Sequence, residues 1–339
     1  MKLSSDSHEQ ISHYIKENDA SKRLDVVARR AFPFLHLAEI FQAIRKGTIK
    51  VNGKKSSQKY RLVEGDILTF VAKNMQERMG ESQTMHTTTA RSVFTQEEIA
   101  CYQLLEILWE SQDFVAINKP VGWISHGNFP SLTDWLIWKY GVEESLSFNR
   151  APVHRLDVGT TGVIILAKTS HGARQFFQLQ EEKRLIKIYL AIVDGKVSEP
   201  ITSQLYLYRQ ENKSFCLDAP RSDAKLAITH IYPLKSRAKK SLIACVIETG
   251  RTHQIRAVCA HYHHPLSGDA LYNPHSKSGY NLHHYLFYDP SKSVKSPLIA
   301  PPPPLFIENL AQYNLTMPET TLGDNIQKIL QKHASTNPH

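Results

Sequence analysis

Residues 154–169 read HRLDVGTTGVIILAKT, and they decide how the second half of the chain must fold. Gly159 and Gly162 punctuate a turn, and Val163 to Ala167 form an apolar run of the length that suits a buried central strand. Asp157 therefore stands on the rim of a rigid element. Aspartates often cap turns, and a carboxylate held on a rigid edge is also what an acid–base or nucleophilic reaction needs. From this stretch alone the two readings weigh equally.

Working downstream, SHGARQFFQLQEEK (170–183) places Ala173, Phe176 and Phe177 on one helical face behind Thr169 or Ser170 as a cap. In RLIKIYLAIVDG (184–195), Ile186, Ile188, Leu190 and Ile192 alternate with Lys187, Tyr189, Ala191 and Val193. A strand puts these two sets on opposite faces, so Tyr189 need not belong to the core. In IETGRTHQIRAVCAHY (247–262) a strand ends at Thr249-Gly250 and a helix begins near Thr252, which gathers Arg251, His253 and Arg256 at a helix N-terminus, where anions are favoured. Taken singly, Tyr189 reads as a packing residue and Arg256 as a solvated arginine. Strands interrupted by a few helices, from about Cys101 to Asn314, suggest an α+β domain.

Upstream, SKRLDVVARRAFPFLHLAEIFQAIRKGTIKVNGKK (21–55) reads as two short helices followed by strands. Leu24, Val27 and Ala28 form one apolar face and Leu37, Ile40, Phe41 and Ile44 another, and Gly47 ends the second helix. Asn52-Gly53 is a tight-hairpin pair, and EGDILTF (64–70) supplies a further strand. Basic residues crowd this region, among them Arg23, Arg45, Lys46, Lys50 and Lys54. They form either a solvated surface or a module that tracks phosphates. Arg-Leu-Asp opening a helix, then Ile-Arg-Lys-Gly, then Ile-Lys-Val-Asn-Gly-Lys resemble the alpha-L RNA-binding domain of a small-subunit ribosomal protein and of many RNA-modifying enzymes.

Residues 73–98 lose periodicity and become polar and threonine-rich, the composition of a linker. APPPPL (300–305) reads as a stiff spacer. The expected organisation is an alpha-L domain over 21–72, a linker over 73–98, a catalytic domain over 99–315 and a mobile tail over 316–339. The 339 residues carry 41 Lys+Arg against 32 Asp+Glu, a formal charge of +9, which favours a polyanionic partner. No apolar stretch approaches the roughly 20 residues of a membrane helix, and the polar N-terminus lacks a signal-peptide core, so a cytoplasmic location is expected. Cys101, Cys216, Cys245 and Cys259 show no Cys-x-x-Cys spacing, and HYHH (261–264) has no carboxylate or cysteine at a recognised ligand spacing. No metal site is expected.

NKPVGWISHG, HRLDVGTTGVIILAKT, KIYLAIVDG, TGRTHQIRAVCAHYHHPLSGDALY and NLHHYLFYDP follow one another between Leu104 and Pro290, and in that order they resemble the RluA-type RNA pseudouridine synthases. The resemblance implies a mixed, mainly antiparallel central sheet with peripheral helices and a central cleft. It implies that Asp157 is the aspartate that attacks or deprotonates the target uridine. Tyr189 matches the tyrosine that packs on the base and is proposed to help move the C5 proton, and Arg256 matches the arginine that pairs with the carboxylate. Arg155 matches a residue that meets RNA near the flipped nucleotide. His154 and Gly162 are expected to shape the loop, with His154 and Arg251 also near the RNA. An arginine beside a carboxylate favours its charged form, the form such chemistry requires.

The reaction implied is an isomerisation that adds and removes no atoms, so no cofactor is expected, and a monomer is the expected state. The expected substrate is large-subunit ribosomal RNA, with transfer RNA as an alternative and a non-catalytic RNA-binding or ribosome-assembly factor as a reading from another class. Two positions depart from the family's loop: Val158 stands where a charge is common, and Thr161 where a serine is. GDALYNP also lacks the glycine that usually follows the tyrosine.

Overall fold

A computed structural model describes residues 9–72, 94–127, 129–274, 276, 279–315 and 321–335. The chain divides into two compact units, one of Met1–Phe94 with Leu136–Arg150 and Thr169–His171, the other of Thr95–Trp135, Ala151–Lys168 and Gly172–His339.

The first unit contains β1 (Glu9–Tyr14), α1 (Leu24–Ala31), α2 (Leu37–Lys46), β2 (Ile49–Val51) and β3 (Ile67–Ala72), with the three strands in the antiparallel order β1-β3-β2. Leu24, Val27 and Ala28 of α1 pack with Ile40 and Ile44 of α2 and Leu68 and Phe70 of β3 in one buried core. Gly47 ends α2 at φ 80°, a left-handed conformation that glycine takes without strain. Asn52 and Gly53, at φ 52° and 73°, make the tight turn between Val51 and Lys54.

Two expectations need correction here. A strand, β1, lies upstream of residue 21, hidden in the sequence because EQISHY carries a single aliphatic side chain. Leu136–Arg150, expected inside the 99–315 domain, clusters with this unit instead. Asp19, fully buried, explains it. Its carboxylate accepts from Ser145 Oγ at 2.7 Å, from the Leu146 N–H at 2.9 Å and from Ser147 Oγ.

In the second unit, strands β4 (Glu106–Glu110), β5 (Phe114–Lys119), β6 (Ala151–Pro152), β7 (Thr161–Ala167), β8 (Ile186–Asp194), β9 (Ile201–Gln210), β10 (Lys213–Leu217), β11 (Lys225–Arg237), β12 (Lys240–Ile247), β13 (Leu282–Tyr288) and β14 (Leu298–Ile299) form one sheet. Its main path runs β10-β9-β11-β12-β8-β13-β7-β5-β4, with β6 paired to β7 and β14 to β13. Every neighbouring pair is antiparallel except β13 with β7. Helices α3 (Gln96–Gln103), α4 (Leu132–Tyr140), α5 (Ser170–Glu181), α6 (Gln254–His261), α7 (Pro304–Gln312) and α8 (Thr321–Ser335) complete the list among the described residues, α4 and α5 being shared by the two units.

β7 is buried along its whole length, as the apolar run requires. Its parallel pairing sets Gly162 opposite His284. A Cβ on Gly162 would meet the His284 carbonyl oxygen at 2.2 Å, and its φ is +108°. Gly162→Ala is therefore expected to cost about 3 kcal/mol through strain and overpacking, measured as a fall in the urea midpoint with an unchanged slope.

Further differences concern helices. Of the expected linker, residues 73–93 lie outside the described residues, and its end is already helical: Thr95 caps α3, accepting from Glu98 N while Glu98 reaches back to Thr95 N at 2.8 Å. The expected mobile tail contains α8. Ile326 and Ile329 are buried with Ile188 and Leu190 of β8 and Phe306 and Leu310 of α7, and His333 Nε2 meets the Tyr232 hydroxyl at 2.9 Å. The spacing Ile326, Ile329, Leu330, His333 is an amphipathic helical face that the polar residues between disguise. In α5, Phe176 is buried with Leu179, whereas Phe177 faces outward.

Candidate active site

The Asp157 loop is held from below. Thr160 N–H donates to the Asp157 carbonyl at 3.0 Å and Gly122 N–H to that of Val158 at 2.9 Å. Lys119, at the end of β5 and fully buried, donates to the carbonyls of Pro120 (3.0 Å), Trp123 (2.9 Å) and Val158 (3.3 Å). Burial pulls this ammonium down to about 7, and the charge of Asp157 works the other way. The ammonium thus serves as a three-pronged clamp on backbone, a role the NKPVGW motif did not disclose.

The arginine arrives from α6. Gln254, buried in its first turn, donates to the Ile228 carbonyl and Thr229 Oγ1, both at 2.9 Å, and so ties the helix start to the sheet. Two residues later on the helix, Arg256 Nη1 lies 3.3 Å from Asp157 Oδ2. Its other edge makes a fork with Asp269, Nε to Oδ2 at 2.7 Å and Nη2 to Oδ1 at 2.8 Å. Asp269 is 1% exposed, so this pair is built into the core and fixes the direction in which Nη1 points. The Arg256 guanidinium also stands 4.3 Å from the Tyr280 ring centre.

His253 precedes α6 in a left-handed conformation, φ 55°. Its Nε2 is 3.8 Å from Asp157 Oδ2 and its Nδ1 3.2 Å from the Tyr272 hydroxyl.

Tyr189 sits opposite His284 across the β8–β13 ladder, and their rings stack with centres 4.4 Å apart. The side chain is buried rather than free of the core. Burial, and then the charge of Asp157, push its hydroxyl well above the ordinary phenol range, so it is a neutral phenol at pH 7.

Asp157 stands where two cavities meet. One, of about 340 Å³, is lined by His154, Lys187, Tyr189, Arg251 and Ile255 as well as Asp157. The other, of about 570 Å³, is lined by His126, Arg155, Arg209, His253 and Tyr280 as well as Asp157.

Of the residues expected from the sequence, Asp157, Tyr189, Arg256, Arg155, Arg251 and His154 gather around this cleft. Arg155 is exposed at its mouth. Arg251 lines it but spends Nε on the Leu226 carbonyl at 2.9 Å. His154 lines the 340 Å³ cavity, with its Nε2 accepting from the Ile165 N–H at 3.0 Å and its ring stacked with Phe176. Burial first, then Lys187 and His284, hold it neutral.

The other basic residues belong to the first unit, described by itself. Arg45 and Lys46 are exposed on the last turn of α2, Lys54 is exposed after the hairpin, and Lys50 is half-buried on β2. Arg23 is forked onto Asp25 at 3.0 and 2.7 Å. Asp269, Lys119 and Lys187 carry the site's electrostatics and were not singled out from sequence. No spacing rule links Asp269 to Arg256, and only the quoted motifs containing them marked the region. Among the described residues no group of three His, Cys, Asp or Glu side chains is arranged to hold a metal.

The model of the RNA pseudouridylate synthase family matches residues 113–261, which include Asp157, Tyr189 and Arg256, and the S4 domain model matches residues 22–68. Ribosomal large subunit pseudouridine synthase C of Buchnera aphidicola subsp. Baizongia pistaciae is 31% identical over 271 residues, 76% of this chain and 79% of that protein. The chain belongs to the RNA pseudouridylate synthase family. Ribosomal large subunit pseudouridine synthase D of Neisseria meningitidis serogroup A is 27% identical over 267 residues, 77% of this chain but 66% of that protein's length. The solved structure of human RNA pseudouridylate synthase domain containing 4 covers 66% of this chain and 99% of its own, with a TM-score of 0.57 at 23% identity, a likeness of fold.

In this member of the family the two loop departures leave the supports of Asp157 intact. Val158 is half exposed and contributes its backbone carbonyl to Lys119 and Gly122. Thr161 Oγ1 bonds His283 Nδ1 at 2.8 Å beneath the loop. No helix among the described residues is long and apolar enough to cross a membrane.

Proposed function

We propose that this chain isomerises uridine to pseudouridine in large-subunit ribosomal RNA, with Asp157 as the group that attacks or deprotonates the target nucleotide. The observation that carries the reading is the Asp269–Arg256–Asp157 chain at the junction of two cavities, within a chain whose relatives are named for this activity. The Asp269 carboxylate on its far side fixes Arg256 so that it offers one directed N–H to Asp157.

A uridine stacked in RNA must leave the stack to reach Asp157, which costs a few kcal/mol. Arg155 and Arg251 at the cleft, and the basic surface of the S4 unit, supply phosphate contacts that offset it. The carboxylate then attacks C1′ or takes the C2′ proton, and the N1–C1′ bonding pair leaves with the uracil. The base turns over, C5 joins C1′ as the Asp157–C1′ bond breaks or as C2′ takes its proton back from Asp157, and the C5 proton departs while N1 gains one. Tyr189, neutral and backed by His284, offers a platform and a hydroxyl beside the base.

The test is tritium release from ribosomal RNA labelled at C5 of uridine, taken from a strain lacking the gene. Release into water by the purified protein supports the reading, and an inert protein that nonetheless binds the RNA would favour the assembly-factor reading. The S4 surface makes a separate prediction. Replacing Arg45, Lys46 and Lys54 together by alanine should raise KM, leave kcat unchanged, and flatten the plot of log affinity against log salt by about 2 to 3, at roughly 0.7 to 0.9 per lost phosphate contact.

A further inference from the structure

β8 brings a second cation into the cleft. Residues two apart on a strand share a face, and Lys187 accordingly lines the 340 Å³ cavity together with Tyr189. Among the described residues its ammonium has no carboxylate partner. Its hydrogen bond goes to Gln180 Oε1 at 3.4 Å, and it stands 5.8 Å from the centre of the Phe176 ring. Of the groups around it, His154, from the Asp157 loop, and His284, from β13, are held neutral mainly by burial, Arg251 on the same cavity is a cation, and the carboxylate lining that cavity, Asp157, is engaged by Arg256 rather than bonded to Lys187.

Lys187 is half-buried, and an ammonium partly removed from water without a bonded counter-charge is costly. A wall that presents one is complementary to negative charge arriving with the substrate. The isomerisation generates such a charge. When the N1–C1′ bond breaks, its electron pair stays with the base, while C1′ receives a pair from Asp157 or the sugar loses its C2′ proton to it. The detached uracil carries one negative charge, shared over N1, O2 and O4, until C5 bonds to C1′ and the charge returns to the departing Asp157 carboxylate or is met by the C2′ proton that Asp157 gives back; the C5 proton is then exchanged for one on N1. Through this sequence an ammonium can stabilise the anion without gaining or losing a proton.

We propose that Lys187 is a catalytic residue that stabilises the detached uracil anion through O2 or O4, an inference that rests on the pseudouridine synthase reading. A cation on the cleft wall acts on charge that develops in the transition state far more than on the neutral base, so it should act on kcat rather than on RNA affinity. Burial pulls the Lys187 ammonium down to about 8. It is charged below that pH and loses its charge above it, which gives the rate an alkaline limb.

The experiment compares the full-length wild type, Lys187→Met and Lys187→Arg by tritium release from C5-labelled ribosomal RNA between about pH 6.5 and 9.5, with RNA affinity and melting temperature measured alongside. Lys187→Met should lower kcat by about 10²–10³-fold with RNA affinity and melting temperature close to wild type. The wild-type rate should fall above about pH 8, and Lys187→Arg, charged throughout, should recover part of the rate and lose that limb. A wild-type kcat in Lys187→Met overturns the proposal. So does a loss confined to KM with a reduced salt slope, which would make Lys187 a phosphate contact. Absence of tritium release by the wild type itself overturns the functional reading, and this proposal with it; release by wild type with an unaffected Lys187→Met overturns the proposal alone.

Discussion

Asp157→Asn is expected to lower tritium release from C5-labelled ribosomal RNA by at least about 10³-fold while leaving RNA affinity near the wild-type value. Asparagine fills the same space and can accept from Arg256 Nη1, but it is neither a nucleophile nor a base. The fold should tolerate the change. Arg256 keeps its fork onto Asp269, and Asp157 is a quarter exposed and bound to Arg256 at the long distance of 3.3 Å, so the stability cost should be about 1 kcal/mol or less. Paired single-turnover assays and thermal melts check both halves. An Asp157→Asn protein that melts like wild type and still isomerises uridine would remove Asp157 from the mechanism.

Asp269→Ala should produce the opposite balance. It leaves a buried guanidinium without the carboxylate that holds two of its nitrogens, and breaking a buried pair from one side costs about 3–5 kcal/mol. It also frees Arg256 to turn wholly toward Asp157, which removes the direction of Nη1, so activity should fall in whatever protein still folds. Asp269→Asn keeps an acceptor for Arg256 and for the Leu271 N–H, 3.2 Å away, and should cost markedly less. Urea denaturation of the three proteins, read as a shift in midpoint, checks the ranking. Two aspartates bound to one arginine thus separate by burial: removing the half-open one costs chemistry, and removing the closed one costs the fold first.

Some of this molecule is legible as local pattern. The run Val163 to Ala167 became the strand buried along its whole length, because a short apolar segment behind a glycine turn has few other places to go. The faces of α1 and α2, the glycine stop at residue 47 and the Asn52-Gly53 turn are likewise local, set by side-chain period and backbone preference. Where the pattern was weak it misled. β1 shows one aliphatic side chain in six residues, and polar residues hide the amphipathic spacing of α8, so neither element stands out from its local pattern. Phe177 looked equivalent to its neighbour Phe176, but a helix separates consecutive residues by about 100°, and only one of the two could point inward.

The sequence by itself determined the α+β class and a basic N-terminal unit, because these are carried by side-chain period and residue type along the chain, and its ordered motifs carried the resemblance that pointed to Asp157, Tyr189 and Arg256. Tertiary structure alone decided what surrounds them. Asp269 lies 13 residues from Arg256 and Lys119 38 residues before Asp157, and each acts on its partner through burial and direction, quantities that no spacing encodes. The same holds for Lys187: the strand period put it on the face of Tyr189, but that its ammonium lies in the cleft without a carboxylate partner follows from the residues that β13, α5 and the Asp157 loop bring against it.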